Sequence, residues 1–195
     1  MKVILASASP RRAEILRRAG ISFAVISSAI DETAVPGETP QQHVQRLADA
    51  KAELVAGRAV GPAILVAADT VVVLDGQVLG KPRSTEEARR MLELFSGRTH
   101  SVITGVAILR LPEMERRQFV ETTLVHFSRL SRDDVSRYLA TEEPYDKAGA
   151  YAIQGHAGRF IPRIEGCYFN VVGLPLSRVV GALHDLGWSE DREPL

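Results

Sequence analysis

Lys2-Val-Ile-Leu-Ala-Ser-Ala-Ser-Pro-Arg-Arg12 passes from a strand to a helix almost without a linker. Lys2 to Ala6 is a short apolar run of the kind that forms a buried strand. Ser9 occupies a helix N-cap, Pro10 the first helical position, and Gly20 the stop. A strand followed at once by a capped helix opens an α/β order. Arg11 and Arg12 fall in the first helical turn, where cations cost about 0.3–1 kcal/mol against the helix dipole unless an anion lies beside them. Two readings fit that conflict. Either this is a capped surface helix with two solvated arginines, or Ser7, Ser9, free N–H groups and two guanidinium forks form a site for a polyphosphate.

The α/β order continues outward from this stretch. Phe23 to Ser27 reads as a second strand. Thr39-Pro40 opens a long helix to about Gly57, with Val44, Leu47, Ala48, Leu54 and Val55 on roughly one face. Ile64 to Ala68 is a continuous apolar run of the central-strand type. Val71 to Leu74 and Gln77 to Leu79 flank Asp75-Gly76, a two-residue hairpin signal. Ser84-Thr-Glu-Glu87 is a capping box for a helix ending at Gly97. His100 to Leu111 and Phe119 to Leu130 read as two long strands joined by a polar connection around Pro112 to Arg117. Ser131 caps a helix ending near Thr141, and a final helix runs from about Pro175 to Gly187. Glu142 to Pro175 holds five glycines and no sustained period, so it reads as the wall of a site. Residues 1–187 are expected to form one domain, and 188–195 a frayed tail.

Composition narrows the function. With 24 basic and 24 acidic side chains among 195 residues, the formal net charge is zero. That argues against coating nucleic acid or an anionic membrane by bulk charge. Cys167 is the single cysteine, which excludes an intrachain disulfide, and a small buried hydrophobe is its expected role. There is no secretory apolar region after Met1 and no run of membrane-spanning length, so a cytoplasmic protein is expected.

Asp69 is the sharpest single residue, since an ionised acid at the end of the run Ile64 to Ala68 needs a cation, a metal or a proton. The alternative is a strand-end aspartate capping a turn. Asp31 and Glu32 add carboxylate in a loop and read equally as a solvated acidic turn. Asp69 with Glu32 would suit magnesium, which takes one or two carboxylates together with substrate phosphates. The histidines lack zinc-ligand spacing, and His100 reads as structural or as a hydrogen-bond partner. Lys51 and Lys81, singly ordinary surface lysines, could join Arg11 and Arg12 in neutralising a triphosphate. Thr104-Gly105 is a weaker candidate source of donors. Neither a P-loop nor a dinucleotide-binding glycine pattern is present.

In order along nearly the whole chain, Ser7-Ala-Ser-Pro-Arg-Arg12, Ile30-Asp-Glu-Thr33, Arg46-Leu-Ala-Asp-Ala-Lys-Ala52, Ala68-Asp-Thr-Val-Val72, Gly80-Lys-Pro82, Asp146-Lys-Ala-Gly-Ala-Tyr-Ala-Ile-Gln-Gly155 and Asn170-Val-Val-Gly-Leu-Pro-Leu176 closely resemble the Maf family of nucleoside triphosphate pyrophosphatases. The resemblance implies an α/β fold with a mixed elongated sheet flanked by helices around a deep cleft, similar to the inosine triphosphate pyrophosphatases. It implies hydrolysis of a nucleoside triphosphate to the monophosphate and pyrophosphate, dependent on Mg²⁺ or Mn²⁺, by a homodimer; from the neutral charge, neither a nucleic-acid nor a membrane partner is expected.

Carried over by position, Asp69 is the catalytic acid and a metal ligand with Glu32. Ser7, Arg12, Lys51 and Lys81 bind substrate. Arg11, Thr70 and Gln154 are the positions that separate the subfamilies, and as they stand here they resemble the branch acting on dTTP and UTP. Ala68 and Phe95 depart from the commoner glycine and leucine without removing a polar group. Gln154 could read uracil or thymine, because its amide matches N3–H and a neighbouring carbonyl. The alternative is a nucleotide-binding regulator of cell division without significant turnover.

Overall fold

The computed structural model describes residues 1–189 of the 195. The described residues form seven strands and six α-helices in an α/β order. The strands are β1 (Val3–Leu5), β2 (Phe23–Val25), β3 (Ala63–Leu74), β4 (Gln77–Leu79), β5 (Thr99–Leu111), β6 (Glu115–His126) and β7 (Arg163–Glu165). They make one mixed sheet in the order β2-β1-β3-β5-β6-β7, with β4 on β3. The helices are α1 (Pro10–Arg18), α2 (Pro40–Ala56), α3 (Thr85–Phe95), α4 (Arg132–Leu139), α5 (Tyr168–Val172) and α6 (Leu176–Asp185). The chain clusters into two compact units, one of Met1–Asp69, Thr104–Glu121 and Gly173 onward, the other of Thr70–Ile103 and Thr122–Val172.

In the first unit β1 pairs in parallel with both β2 and β3, with Val3 opposite Phe23 and Ile64. Parallel pairing needs crossovers, which α1 and α2 supply. Ser9 accepts the Arg12 N–H at 3.5 Å to cap α1. Thr39 and Gln42 form a reciprocal capping box at α2. The buried stripe of α2 is Val44, Leu47, Ala48, Lys51, Ala52 and Val55. Lys51 and Ala52 thus take the place expected for Leu54, because steps of three and four residues from Leu47 and Ala48 lead to them. This face packs on Ile4, Ala63, Leu65, Ala67, Ala107 and Leu109.

Gly105 explains the tight seat of α2. A Cβ there would lie 2.5 Å from the backbone carbonyl of Val44. Gly105 is therefore a packing position that admits a helix backbone, and Thr104 beside it is buried. Order also persists past Gly187. Trp188 is buried and its N–H donates to the Leu183 carbonyl at 2.9 Å, so the expected tail begins too early. Its remaining part, 190–195, lies outside the described residues.

The second unit holds the other core, built from Leu74, Met91, Leu92, Phe95, Val102, Phe127, Tyr138, Tyr151 and Phe160 among others. β3 turns into β4 through Asp75 and Gly76, both at positive φ (52° and 76°), as a two-residue hairpin requires. α3 has only half of the expected capping box. Ser84 Oγ accepts the Glu87 N–H, but the Glu87 carboxylate accepts from Arg83 N–H rather than from the cap residue.

Two strands differ from expectation. β6 begins at Glu115 and ends at His126, because polar residues such as Arg116, Arg117 and Gln118 can pair through their backbones on a half-exposed strand. β3 is one continuous strand from Ala63 to Leu74, not two. Asp69 and Thr70 interrupt the apolar run but not the backbone ladder, so Asp69 lies inside a strand and caps no turn. Cys167 is half-buried rather than buried. Its N–H donates to Thr123 Oγ1 and its carbonyl accepts from the same hydroxyl.

Candidate active site

Lys51 stands on the core-facing stripe of α2 and Asp69 inside β3, and both are more than nine-tenths buried. A lysine in such a place needs partners, because the desolvation penalty is several kcal/mol per ion. Lys51 Nζ donates to Asp69 Oδ1 at 2.6 Å and lies 2.6 Å from Glu32 Oε1. One ammonium therefore gathers two carboxylates that are far apart in sequence. Glu32 is much the more exposed of the two, with 59% of its side chain accessible against 12% for Asp69. Its neighbour Asp31 turns instead to local bonds, accepting from Thr33 N–H and Oγ1. Those bonds hold the Asp31 carboxyl below its ordinary range. The two loop acids are thus separated: Asp31 shapes a turn, and Glu32 joins the cluster.

Arg12 is buried against the same strand. Its Nη1 donates to the Ala68 carbonyl at 2.7 Å and to Ser7 Oγ at 3.2 Å, and its Nε donates to the Gly173 carbonyl at 2.8 Å. Ser7 Oγ also accepts the Ser9 N–H at 3.1 Å. This guanidinium ties the β1–α1 junction to the residue before Asp69 and to the approach to α6. Burial pushes its pKa down, Asp69 and Glu32 push it up, and Arg11 pushes it down. Arg11, half-buried on the first turn of α1, is therefore close enough to act on the same cluster. Two buried cations, Arg12 and Lys51, thus meet the carboxylates of Glu32 and Asp69, with Arg11 beside Arg12.

Thr70, Lys81 and Gln154 belong to the second unit. Thr70 is half-buried and follows Asp69 along β3, while Lys81 and Gln154 are exposed. Gly80, just before Lys81, accepts the Gly149 N–H at 3.0 Å, joining two of the sequence blocks. His100 proves to be a hydrogen-bond partner: it is buried among Phe95, Phe127 and Tyr151, with Nε2 2.7 Å from Tyr151 Oη.

Among the described residues no group of three or more histidine, cysteine, aspartate or glutamate side chains could hold a metal ion. The pair Glu32 and Asp69, both drawn to one ammonium, does match the smaller donor set of a cation that takes its other ligands from phosphate and water. No described helix is long and apolar enough to cross a membrane.

Sequence reasoning missed three contributors. Gly173 accepts from Arg12 through its backbone, for which no side-chain signal exists. Asn170 is fully buried and donates to Val102 O and Thr123 Oγ1, binding α5 to the strands of its unit. Glu143 accepts from Tyr138 Oη and from two backbone N–H groups; the Tyr138 pKa is raised by burial and by this carboxylate.

Known proteins are similar to this chain along nearly its whole length. The dTTP/UTP pyrophosphatase of Syntrophus aciditrophicus (strain SB) is 51% identical over 187 residues, which is 95% of this chain and 90% of that protein. That of Pelotomaculum thermopropionicum is 46% identical over 188 residues, 96% of this chain and 98% of that protein. The structure of the Staphylococcus aureus Ham1 protein is similar at a TM-score of 0.49 and 16% identity, covering 93% of this chain and 100% of that one. The pattern of the Maf-like proteins matches residues 2–186, a span that holds the lysine-bridged carboxylates, the buried Arg12 and Gln154, and the chain belongs to that family.

Proposed function

We propose that the protein hydrolyses dTTP and UTP to the monophosphate and pyrophosphate. The observation that carries this reading is the buried Asp69, 2.6 Å from Lys51, whose ammonium also lies 2.6 Å from Glu32. Relatives at 46–51% identity named dTTP/UTP pyrophosphatases support the substrate class. Asp69 accepts a proton from a water whose oxygen attacks the α-phosphorus. A new P–O bond forms, the bond from the α-phosphorus to the bridging oxygen breaks, and pyrophosphate departs with that oxygen.

Lys51 holds Asp69 in place through their 2.6 Å hydrogen bond. Ser7, Arg12, Lys51 and Lys81 meet the phosphate charge, and Arg12 also keeps the backbone beside Asp69 in position. A divalent cation, Mg²⁺ or Mn²⁺, held by Glu32 and Asp69 would supply charge neutralisation on the phosphates. Gln154 reads the pyrimidine edge with one donor and one acceptor, and Arg11 and Thr70 are the other two specificity positions.

The test is pyrophosphate release from UTP, dTTP, CTP, GTP and 7-methyl-GTP, with Mg²⁺ or Mn²⁺ and with chelator. Metal-dependent turnover of UTP and dTTP well above the others is expected. Preference for 7-methyl-GTP would keep the reaction and overturn the pyrimidine assignment. Tight binding without turnover would overturn the reaction itself.

A further inference from the structure

Gln154 sits in a sharp turn. The Gly155 N–H donates to the Ala152 carbonyl at 3.1 Å, which makes Gln154 the third residue of a four-residue turn. The chain then enters a 3₁₀ turn, His156–Phe160, whose first N–H groups need acceptors. No side chain at its own N-cap position supplies one. The acceptor is Glu143, thirteen residues upstream, whose carboxylate takes the His156 N–H at 2.7 Å and the Ala157 N–H at 3.2 Å.

That carboxylate is itself held. Tyr138, fully buried in α4, donates its hydroxyl to Glu143 Oε1 at 2.8 Å. The Tyr138 ring meets Phe160, the last residue of the 3₁₀ turn, edge to face at 5.7 Å. Gly155 leaves space for the contact. A Cβ there would lie 2.0 Å from Glu143 Oε2 and 2.3 Å from Cδ, so the carboxylate passes directly over the residue after Gln154. Gly158 closes the segment, since a Cβ there would lie 2.8 Å from the Ile153 carbonyl.

We propose that Glu143 is a positioning residue for pyrimidine selectivity, holding the backbone on both sides of its contact so that Gln154 presents a single amide face. This rests on the reading of Gln154 as the residue that recognises the base. An amide discriminates between uracil and cytosine only when its orientation is held, because a flipped amide presents the opposite pattern. Glu143 touches neither the phosphates nor the attacking water in this account. Its effect falls on which base is accepted.

The experiment compares kcat/KM for UTP and CTP in Glu143→Gln, Gly155→Ala, Gln154→Ala, Glu143→Ala and the double variant Glu143→Ala with Gly155→Ala. Inhibition by inorganic tripolyphosphate, which has no base, is measured alongside. Glu143→Gln and Gly155→Ala should each lower the UTP-to-CTP ratio by about fivefold or more, the loss of a hydrogen bond or two. Tripolyphosphate inhibition should stay within about twofold of the parent. Gly155→Ala acts by displacing the carboxylate, so adding it to Glu143→Ala should change nothing further.

An unchanged ratio in Glu143→Gln and Gly155→Ala, with a lowered one in Gln154→Ala, overturns the proposal and spares the base reading. A parallel loss of tripolyphosphate inhibition overturns it in favour of general damage. An unchanged ratio in Gln154→Ala removes the base reading and the proposal with it. If Glu143→Ala does not fold, the two conservative single variants decide.

Discussion

Lys51 Nζ lies 2.6 Å from Asp69 Oδ1, joining the buried face of α2 to the interior of β3. The same nitrogen lies 2.6 Å from Glu32, so one ammonium organises both carboxylates of the site. Removing it would leave Asp69 buried beside a second negative charge. Lys51→Met should therefore destabilise the fold by about 3–5 kcal/mol, the usual cost of breaking a buried pair from one side. Urea denaturation measures this, and a midpoint equal to that of the parent would show that the pair contributes nothing.

Asp69→Asn keeps the shape and removes the base. Hydrolysis should fall by about 10²–10⁴-fold, the range for a positioned general base. Nucleotide binding, followed by calorimetry with a non-hydrolysable UTP analogue, should persist. Near-parental turnover would exclude Asp69 as the base.

Arg12 serves carbonyls as well as charge. Arg12→Ala removes the Arg12 bonds to the Ala68 and Gly173 carbonyls, each hydrogen bond from a charged donor contributing about 1.5–3 kcal/mol. It should raise KM and lower thermal stability together. Arg12→Lys should not restore either, because one ammonium cannot reproduce the separate Nε and Nη1 bonds. Rescue by lysine would mean that only the charge matters.

Gly105→Ala tests the seat of α2. The new methyl would meet Val44 and Gln45 backbone atoms at 2.5–2.6 Å, and backbone cannot swing aside as a side chain can. A loss of about 1–3 kcal/mol or more is expected in chemical denaturation. No loss would mean that the helix shifts without cost.

His100 gives the fold a pH dependence. Burial lowers its pKa from 6.5 to about 3, and His126 adds to the effect. The unfolded chain therefore takes up a proton at this residue before the folded one does. The contribution is fully present above about pH 6.5 and is lost as pH falls toward 3. Between pH 7 and pH 5 the loss should be about 2 kcal/mol. His100→Phe should flatten the stability profile across that interval; an unchanged slope would assign the dependence to other groups.

The order of elements was legible because its signals are local. Ser9-Pro10 and Thr39-Pro40 mark helix starts through bonds made within one turn, and Asp75-Gly76 marks a hairpin through two φ angles. Asp69 was legible too, since an acid in an apolar run stands out against its neighbours. Its setting was not. The polar pair Asp69-Thr70 reads as a strand end, and only backbone pairing across the sheet shows β3 to be continuous.

Distances between segments far apart in sequence were decided by the tertiary structure alone. Lys51 reads as a surface lysine until α2 docks on β3, a docking that Gly105 permits by having no side chain. Arg12 reads as a first-turn cation until its fork closes on two carbonyls, one of them at Gly173. Glu143 carries no local signal, because its partners lie in another turn. Periodicity and caps depend on neighbours in the chain and so can be read from the sequence itself. The pairing of buried charges and the capping of one turn by a distant side chain depend on which surfaces meet, and that is settled only when the helices pack on the sheet.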